Sequence, residues 1–263
     1  VEIITAGPNP VLLRQLTNVF IMNRDWSEKN NAAQPQDFAK KEETFSARNT
    51  NGTGPYKLQS REVDVKTVFV ENADWWGKDT KPGNVTEVVY TPIKQAATRT
   101  AALLSGEVDF VLDPPAQDLA RIQQQAKVVE GNEYRTIYIG LDQKSPELKY
   151  SNVKGKNPFS DIRVREALYR AIDVDAIKKV VMRGSSMPTG TMIAPQVNGW
   201  TEALSKRVPY DAEKAKQLLK DAGYDNNLEF TLDCPNNRYI NDEAICQAIV
   251  GMWRRVGIEA EIE

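Results

Sequence analysis

Apolar positions along this chain alternate between two spacings, one helical and one strand-like. Val164, Ala167, Leu168, Ala171 and Ile172 recur at helical spacing and mark a core-facing stripe. Just ahead of them, Asp161 is placed to accept from the free N–H groups of the first turn, while Pro158 keeps the preceding segment out of the helix. Asp173 reads as the N-cap of a following helix with Ile177, Val180 and Val181 inward, and Gly184 suits the left-handed position that ends one. The same periodicity predicts a helix over 211–222 that buries Ala215, Leu218, Leu219 and Ala222. A last helix follows, with a wide face of Ile245, Ala248, Ile249, Met252, Trp253 and Val256. Shorter helices are expected over 95–104, stopped by Gly106, and over 116–126, opened by Pro114-Pro115. Leu12, Leu16, Val19 and Phe20 give a helical face near the start.

Strand spacing appears at 1–6, 56–58, 67–71, 86–92, 128–129, 135–141 and Leu228–Leu232, with a short buried strand over 108–112 and a closing strand from Ile258. In the third of these, Val68 and Val70 share one face and Phe69 takes the other. Residues 27–50 read as exposed loop with a short helix, and 142–156 and 184–199 as longer loops. Strands and helices intermix without a fixed-period repeat, which predicts an α/β or α+β chain with a mixed sheet in each of two lobes. Both ends read as strand, so a piece of a longer protein is expected.

Composition narrows the chemistry. The 263 residues carry a net charge of −2 with both signs mixed, and no basic stripe suits nucleic acid. No apolar run approaches the roughly 20 residues of a membrane-spanning helix, and no signal peptide is present. Histidine is absent, which removes His-based nucleophile systems and imidazole metal sites. Carboxylates are plentiful, yet Asp109 with Asp113, or Asp173 with Asp175, are merely near in sequence, whereas a glycosidase needs two that face each other across a substrate. Asp173 reads as a cap and Asp113 as a loop residue, and no catalytic residue, metal ligand or cofactor site is assigned. Asn51-Gly52-Thr53 matches a glycosylation acceptor but more simply supplies a turn before a strand.

Two constellations remain. Cys234 and Cys246 lack further ligands for a metal and are spaced too widely for a redox pair, which leaves a bridge or two free thiols. Arg238 lies in the loop between the strand Leu228–Leu232 and the last helix. Its guanidinium offers two parallel donors to a ligand carboxylate, or equally an ion pair to Asp242 or Glu243. Asn236, Asn237 and Tyr239 share that loop and could hydrogen-bond or stack. Trp75 and Trp76 could form a stacking platform, but packing is the favoured role for them and for Trp253.

The wording of several segments is more specific than their periodicity. PFSDIRVREALYRAIDVDAIKKVVMRG closely resembles the PF-x-D-x-RVR-x-AL-x-x-AID segment of the extracytoplasmic solute-binding proteins, family 5, that feed oligopeptide-type ABC importers. In the same order as in that family come NGTGPYKLQSREVDVKTVFVENADWWG, where Trp75 replaces a common tyrosine, then PIKQAATRTAALLSGEVDFVLDPP, YDAEKAKQLLKDAGY and GIEAEIE. The resemblance covers nearly everything from Asn51 to Glu263. It implies a periplasmic-binding-protein-like α/β fold (type II, cluster C-like) of two mixed-sheet lobes, with 1–141 the later part of the first lobe and 142–263 part of the second large lobe. It implies a periplasmic, non-enzymatic, monomeric protein that captures dipeptides or oligopeptides between lobes hinged near 139–143 and delivers them to a membrane permease. Oligosaccharide, opine, haem or metal-chelate ligands are the alternatives within the family, and a carboxylate-based hydrolase of glycans or peptides is the alternative outside it. By the same resemblance Arg238, in R-x-x-N, pairs with a peptide C-terminal carboxylate, and the acidic residue that holds the amino group lies beyond this chain. The Trp pair closes a hairpin. The extracytoplasmic setting favours the Cys234–Cys246 bridge over free thiols.

Overall fold

The computed structural model describes residues 2–40, 43–236 and 238–263. They form two compact units, Val1–Pro92 and Ile93–Glu263.

The first unit is built on an antiparallel meander of β1 (Tyr56–Glu62), β2 (Lys66–Glu71) and β3 (Glu87–Tyr90), in that spatial order. Tyr56 lies opposite Glu71, Leu58 opposite Phe69 and Thr67 opposite Tyr90, with a bulge between Leu58 and Ser60. Asp64 turns the first hairpin at φ 58°, a left-handed conformation that aspartate tolerates better than most residues. β1 runs four residues past the expected 56–58 because β2 pairs with its whole length. Three short helices precede the sheet: α1 (Leu12–Gln15), α2 (Arg24–Lys29) and α3 (Phe45–Arg48). Glu43 accepts from Arg48 at 2.7 Å and from Arg61 at 2.9 Å, tying α3 to β1. The strand expected over 1–6 is not formed by the described residues 2–6, where Ile4 is 86% exposed. The expected helical face at 12–20 stops early: a 3-10 turn ends at Asn18, and Val19 and Phe20 are exposed.

The second unit opens with α4 (Ala96–Ser105), whose C-cap Gly106 adopts φ 78° as its stop position predicts. The helix expected over 116–126 is shorter, a 3-10 turn followed by α5 (Leu119–Ile122). No strand forms at 108–112, 128–129 or 135–141, and Phe110 is 74% exposed where a buried strand was expected. A strand satisfies its N–H and C=O groups only through a neighbour, and among the described residues none pairs with these segments. Ile139 and Leu141 nevertheless pack against the main core.

The second unit continues with α6 (Ile162–Arg170), α7 (Val174–Ala176), α8 (Glu202–Ser205), α9 (Ala212–Asp221), β4 (Leu228–Leu232), α10 (Asp242–Arg254) and β5 (Ile258–Ile262), and the core is built mainly by α6, α9, β4, α10 and β5. Asp161 caps α6 by accepting from Arg163 N at 2.8 Å, Asp173 caps α7 through Ala176 N at 2.9 Å, and Asp211 caps α9 through Lys214 N at 2.8 Å. α7 continues into a single π turn, Ile177–Val181, before Gly184 at φ 92°. β4 and β5 pair in parallel from Leu228↔Ile258 to Leu232↔Ile262, a pairing that needs a crossover, supplied by α10. Val164, Leu219, Leu228, Trp253 and Ile258 are essentially fully enclosed. Phe230 stacks edge-on between Phe159 at 5.1 Å and Trp253 at 5.5 Å, and Trp253 Nε1 donates to Leu168 O at 3.0 Å. Arg163 donates to Asp221 O at 2.7 Å, joining the start of α6 to the end of α9. The helices read over 161–173, 211–222 and 242–256 are thus in place, but Val180, expected inward with Ile177 and Val181, is 67% exposed, because the π turn changes the helical spacing there and Met182 is buried instead. Ala222, expected inside, sits just past α9 and is only partly buried against the core.

Candidate functional site

The β4–α10 connection holds the site residues read from the sequence, and four fastenings at three points hold the connection. At its start, Cys234 N donates to Glu263 O at 2.9 Å, extending the β4–β5 ladder past both strands. Cys234 is also disulfide-bonded to Cys246 in the second turn of α10, across a Cα–Cα distance of 6.5 Å. At the far end, the buried Asp242 carboxylate accepts from Arg238 N at 2.9 Å, Tyr239 N at 3.0 Å and Glu243 N at 2.9 Å. Backbone donors converging on a buried carboxylate stabilise its charge. Between these, Asn241 takes the left-handed conformation (φ 55°, ψ 28°) and its amide donates to Val181 O at 2.8 Å, in the π turn after α7. Asn and Asp are the residues other than glycine that adopt this conformation most readily.

Fastened in this way, the loop presents Arg238 to solvent. Its Nε donates to the Tyr239 hydroxyl at 2.9 Å, and its guanidinium carbon lies 5.4 Å from the Tyr239 ring centroid. Asp242, one of the two acids that could have paired with Arg238, uses its carboxylate on backbone N–H groups of this loop. Among the described residues the terminal nitrogens of Arg238 have no protein acceptor, so four N–H donors face outward. Tyr239 is half-buried, and a second cation reaches it: the Arg135 guanidinium carbon is 5.3 Å from the same ring. Arg135 keeps one acidic neighbour, Glu133, at 3.3 Å, both side chains about half exposed. Asn236 is exposed in the same loop, and Asn237 lies outside the described residues. Arg135 was not singled out from the sequence, because nothing local to residues 133–137 signals that they return to a loop a hundred residues later.

The remaining candidates separate clearly. Trp253 is 1% exposed and Trp75 is half-buried against Gly77, where an added Cβ would meet the Trp75 ring at 2.7 Å. Trp76 departs from the packing role expected of it: it is 82% exposed, with its ring 5.5 Å from that of Trp75. The pair sits where two turns meet, Trp75 N donating to Asn72 O at 3.0 Å and Lys78 N to Trp75 O at 3.2 Å, and only Trp75 finds cover there. Asp173 is a cap as expected, and Asp113 occupies a turn at φ 51°. Asp142, at the head of the polar loop, accepts from Lys144 N and Ser145 N, each at 3.0 Å. Bonds from Ser145, then from the backbone, hold its carboxyl below the ordinary carboxylate range. Among the described residues no three acidic, Cys or His groups gather as a metal site, and no helix is long and apolar enough to cross a membrane. An open depression of about 400 Å³ lies on the π turn, lined by Asp175, Lys178, Lys179, Arg183 and Gly184; it includes none of the loop residues.

The architecture is that of periplasmic binding proteins. The ABC transporter-associated periplasmic binding protein DppA from Helicobacter pylori, solved in complex with the peptide STSA, superposes with a TM-score of 0.71 at 26% identity, over 98% of this chain and 46% of that one. AgaA from A. tumefaciens R10, solved with agropinic acid, gives a TM-score of 0.58 at 25% identity, over 83% of this chain and 43% of that one. Residues 1–263 match the bacterial extracellular solute-binding proteins, family 5 (middle), and the chain belongs to that family. It is a family of solute-binding proteins and not of enzymes, which sets the hydrolase alternative aside. The dipeptide-binding protein of Escherichia coli is 32% identical over 217 residues, 81% of this chain and 38% of its own length. The haem-binding protein A of Haemophilus influenzae is 29% identical over 226 residues, 84% of this chain and 38% of its own length. The chain thus spans about two fifths of the curated relatives it matches.

Proposed function

We propose that this chain is the central part of a periplasmic solute-binding protein of an ABC importer, that its solute is a dipeptide or oligopeptide, and that Arg238 anchors the peptide's C-terminal carboxylate. The observation that carries the anchoring role is the outward-facing guanidinium on a loop fastened at three points. A rigid mount lowers the entropy lost when a ligand is captured, and the planar fork matches a carboxylate. The peptide-bound Helicobacter pylori protein and the dipeptide-binding protein of Escherichia coli support the ligand class. In the full-length protein two lobes, divided between 1–141 and 142–263 and hinged near 139–143, close over the peptide, and the closed form is what the permease recognises. Asn236, Asn237 and Tyr239 add hydrogen bonds or stacking beside the anchor, and the protein acts as a monomer without a cofactor.

Titration calorimetry on the full-length protein tests the anchor. Arg238→Ala is expected to weaken a free-acid dipeptide by about 2–5 kcal/mol, since the mutation leaves a desolvated carboxylate without its partner. A peptide amidated at the C-terminus already lacks that pair and is expected to lose little more. Equal affinity of wild type and variant for the free acid would remove Arg238 from the site.

A further inference from the structure

Arg135 comes from the segment that leads into the polar loop, and Arg238 from the β4–α10 connection, yet both bring a guanidinium to one tyrosine ring. Their guanidinium carbons lie 5.3 Å and 5.4 Å from the Tyr239 centroid. Each contact is favourable by itself, because the π face of tyrosine attracts a cation. Together they hold two like charges on a single side chain. One carboxylate, Glu133, stands beside Arg135 at 3.3 Å, and it is half exposed, so the pair is largely screened by water. Arg238 spends Nε on the Tyr239 hydroxyl. Among the described residues the terminal nitrogens of both arginines lack a protein acceptor. Two exposed guanidinium forks held at one half-buried ring make a seat for two anionic oxygen groups, and guanidinium prefers carboxylates that it can grip through paired N–H groups.

We infer that Arg135 is a second ligand-contacting cation, and that with Arg238 it selects peptides ending in an acidic residue. Arg238 takes the α-carboxylate and Arg135 the side-chain carboxylate of the terminal Asp or Glu. The inference rests on the anchoring role proposed for Arg238. Tyr239 is the shared platform that holds both forks within about 5 Å of one ring.

The test is titration calorimetry on the full-length protein with Ala-Glu, Ala-Gln and Ala-Ala, comparing wild type with Arg135→Gln, Arg135→Lys and Arg238→Ala. Ala-Gln has nearly the shape of Ala-Glu without its second charge. Wild type is expected to bind Ala-Glu roughly tenfold to a hundredfold more tightly than Ala-Gln, the range for a charged hydrogen bond. That ratio should shrink as salt rises, because the forks are exposed. Arg135→Gln is expected to bring the ratio close to one by weakening Ala-Glu far more than Ala-Gln or Ala-Ala, Arg135→Lys to keep part of it, and Arg238→Ala to weaken all three peptides. A wild-type ratio near one overturns the inference. So does an Arg135→Gln variant that weakens all three peptides equally, since Arg135 would then only support the loop. If Arg135→Gln lowers the ratio but Arg238→Ala changes nothing, the anchoring role fails, and with it the assignment of the two carboxylates. A wild type that binds none of the peptides overturns both readings.

Discussion

Breaking the Cys234–Cys246 bridge probes how firmly the candidate loop is mounted. The bridge joins residues 12 apart in sequence, from the end of β4 to the second turn of α10. Cross-linking a loop of that length removes unfolded-state entropy equivalent to about 3 kcal/mol at 25 °C. The 6.5 Å between Cα atoms falls inside the range that a bridge spans without moving the backbone, so little of that stabilisation is offset in the folded state. Cys246 is buried, and replacing its sulfur removes some packing as well, so Cys234→Ala/Cys246→Ala is expected to lose at least as much as reduction alone. Urea unfolding followed by tryptophan fluorescence reads the effect directly. With a urea dependence of ~1–3 kcal/mol per molar, the midpoint should fall by roughly 1–3 M in the variant, or in wild type with a reductant present. The variant's own midpoint should be insensitive to reductant. The loop should stay largely in place, because Asp242 and Asn241 still hold its far end through four hydrogen bonds to backbone groups. Two titratable thiols in unreduced, unfolded wild type would refute the reasoning at its root. Coincident midpoints with and without reductant would refute its energetics.

Trp253→Phe should cost about 1–3 kcal/mol, because the buried Leu168 carbonyl loses its donor, and Trp253→Ala about 3–5 kcal/mol through the cavity; a urea series distinguishes the two, and equal losses would mean that the hydrogen bond contributes nothing. Asp161→Ala removes the α6 cap and is expected to cost about 1 kcal/mol, whereas Asp161→Asn keeps the cap and removes only the charge. The Arg163 guanidinium holds the Asp161 carboxyl below its ordinary range. A depressed folded value means that the charge stabilises the fold above the unfolded value of about 3.9, and that this contribution fades as pH falls through the folded value. The stability gap between wild type and Asp161→Asn should therefore be full at neutral pH and close below about pH 4; a gap unchanged down to pH 2 would contradict it.

Helices were legible in the sequence because their determinants are local. The Asp161 and Asp173 caps act within three residues, Gly106 and Gly184 stop their turns on the spot, and the stripes along α6, α9 and α10 follow one repeat of the backbone. β4 and β5 were legible too, as alternating runs on either side of a helix. The wording of those same segments carried the family, and with it the loop containing Arg238 and the bridge at its base. Segments 108–112, 128–129 and 135–141 carry comparable alternation and form no strand, because alternation marks a face while a strand requires a partner that lies elsewhere in the chain. The same distinction explains the site. The chemistry of Arg238 and Tyr239 follows from residue type and neighbours, but the approach of Arg135 to that tyrosine depends on how the chain returns after about a hundred residues, and so does the choice of Trp75 over Trp76 for cover. Backbone periodicity and capping act over a few residues and are written where they act. Which distant side chains meet is set by the packing of whole elements, and only the tertiary structure decides it.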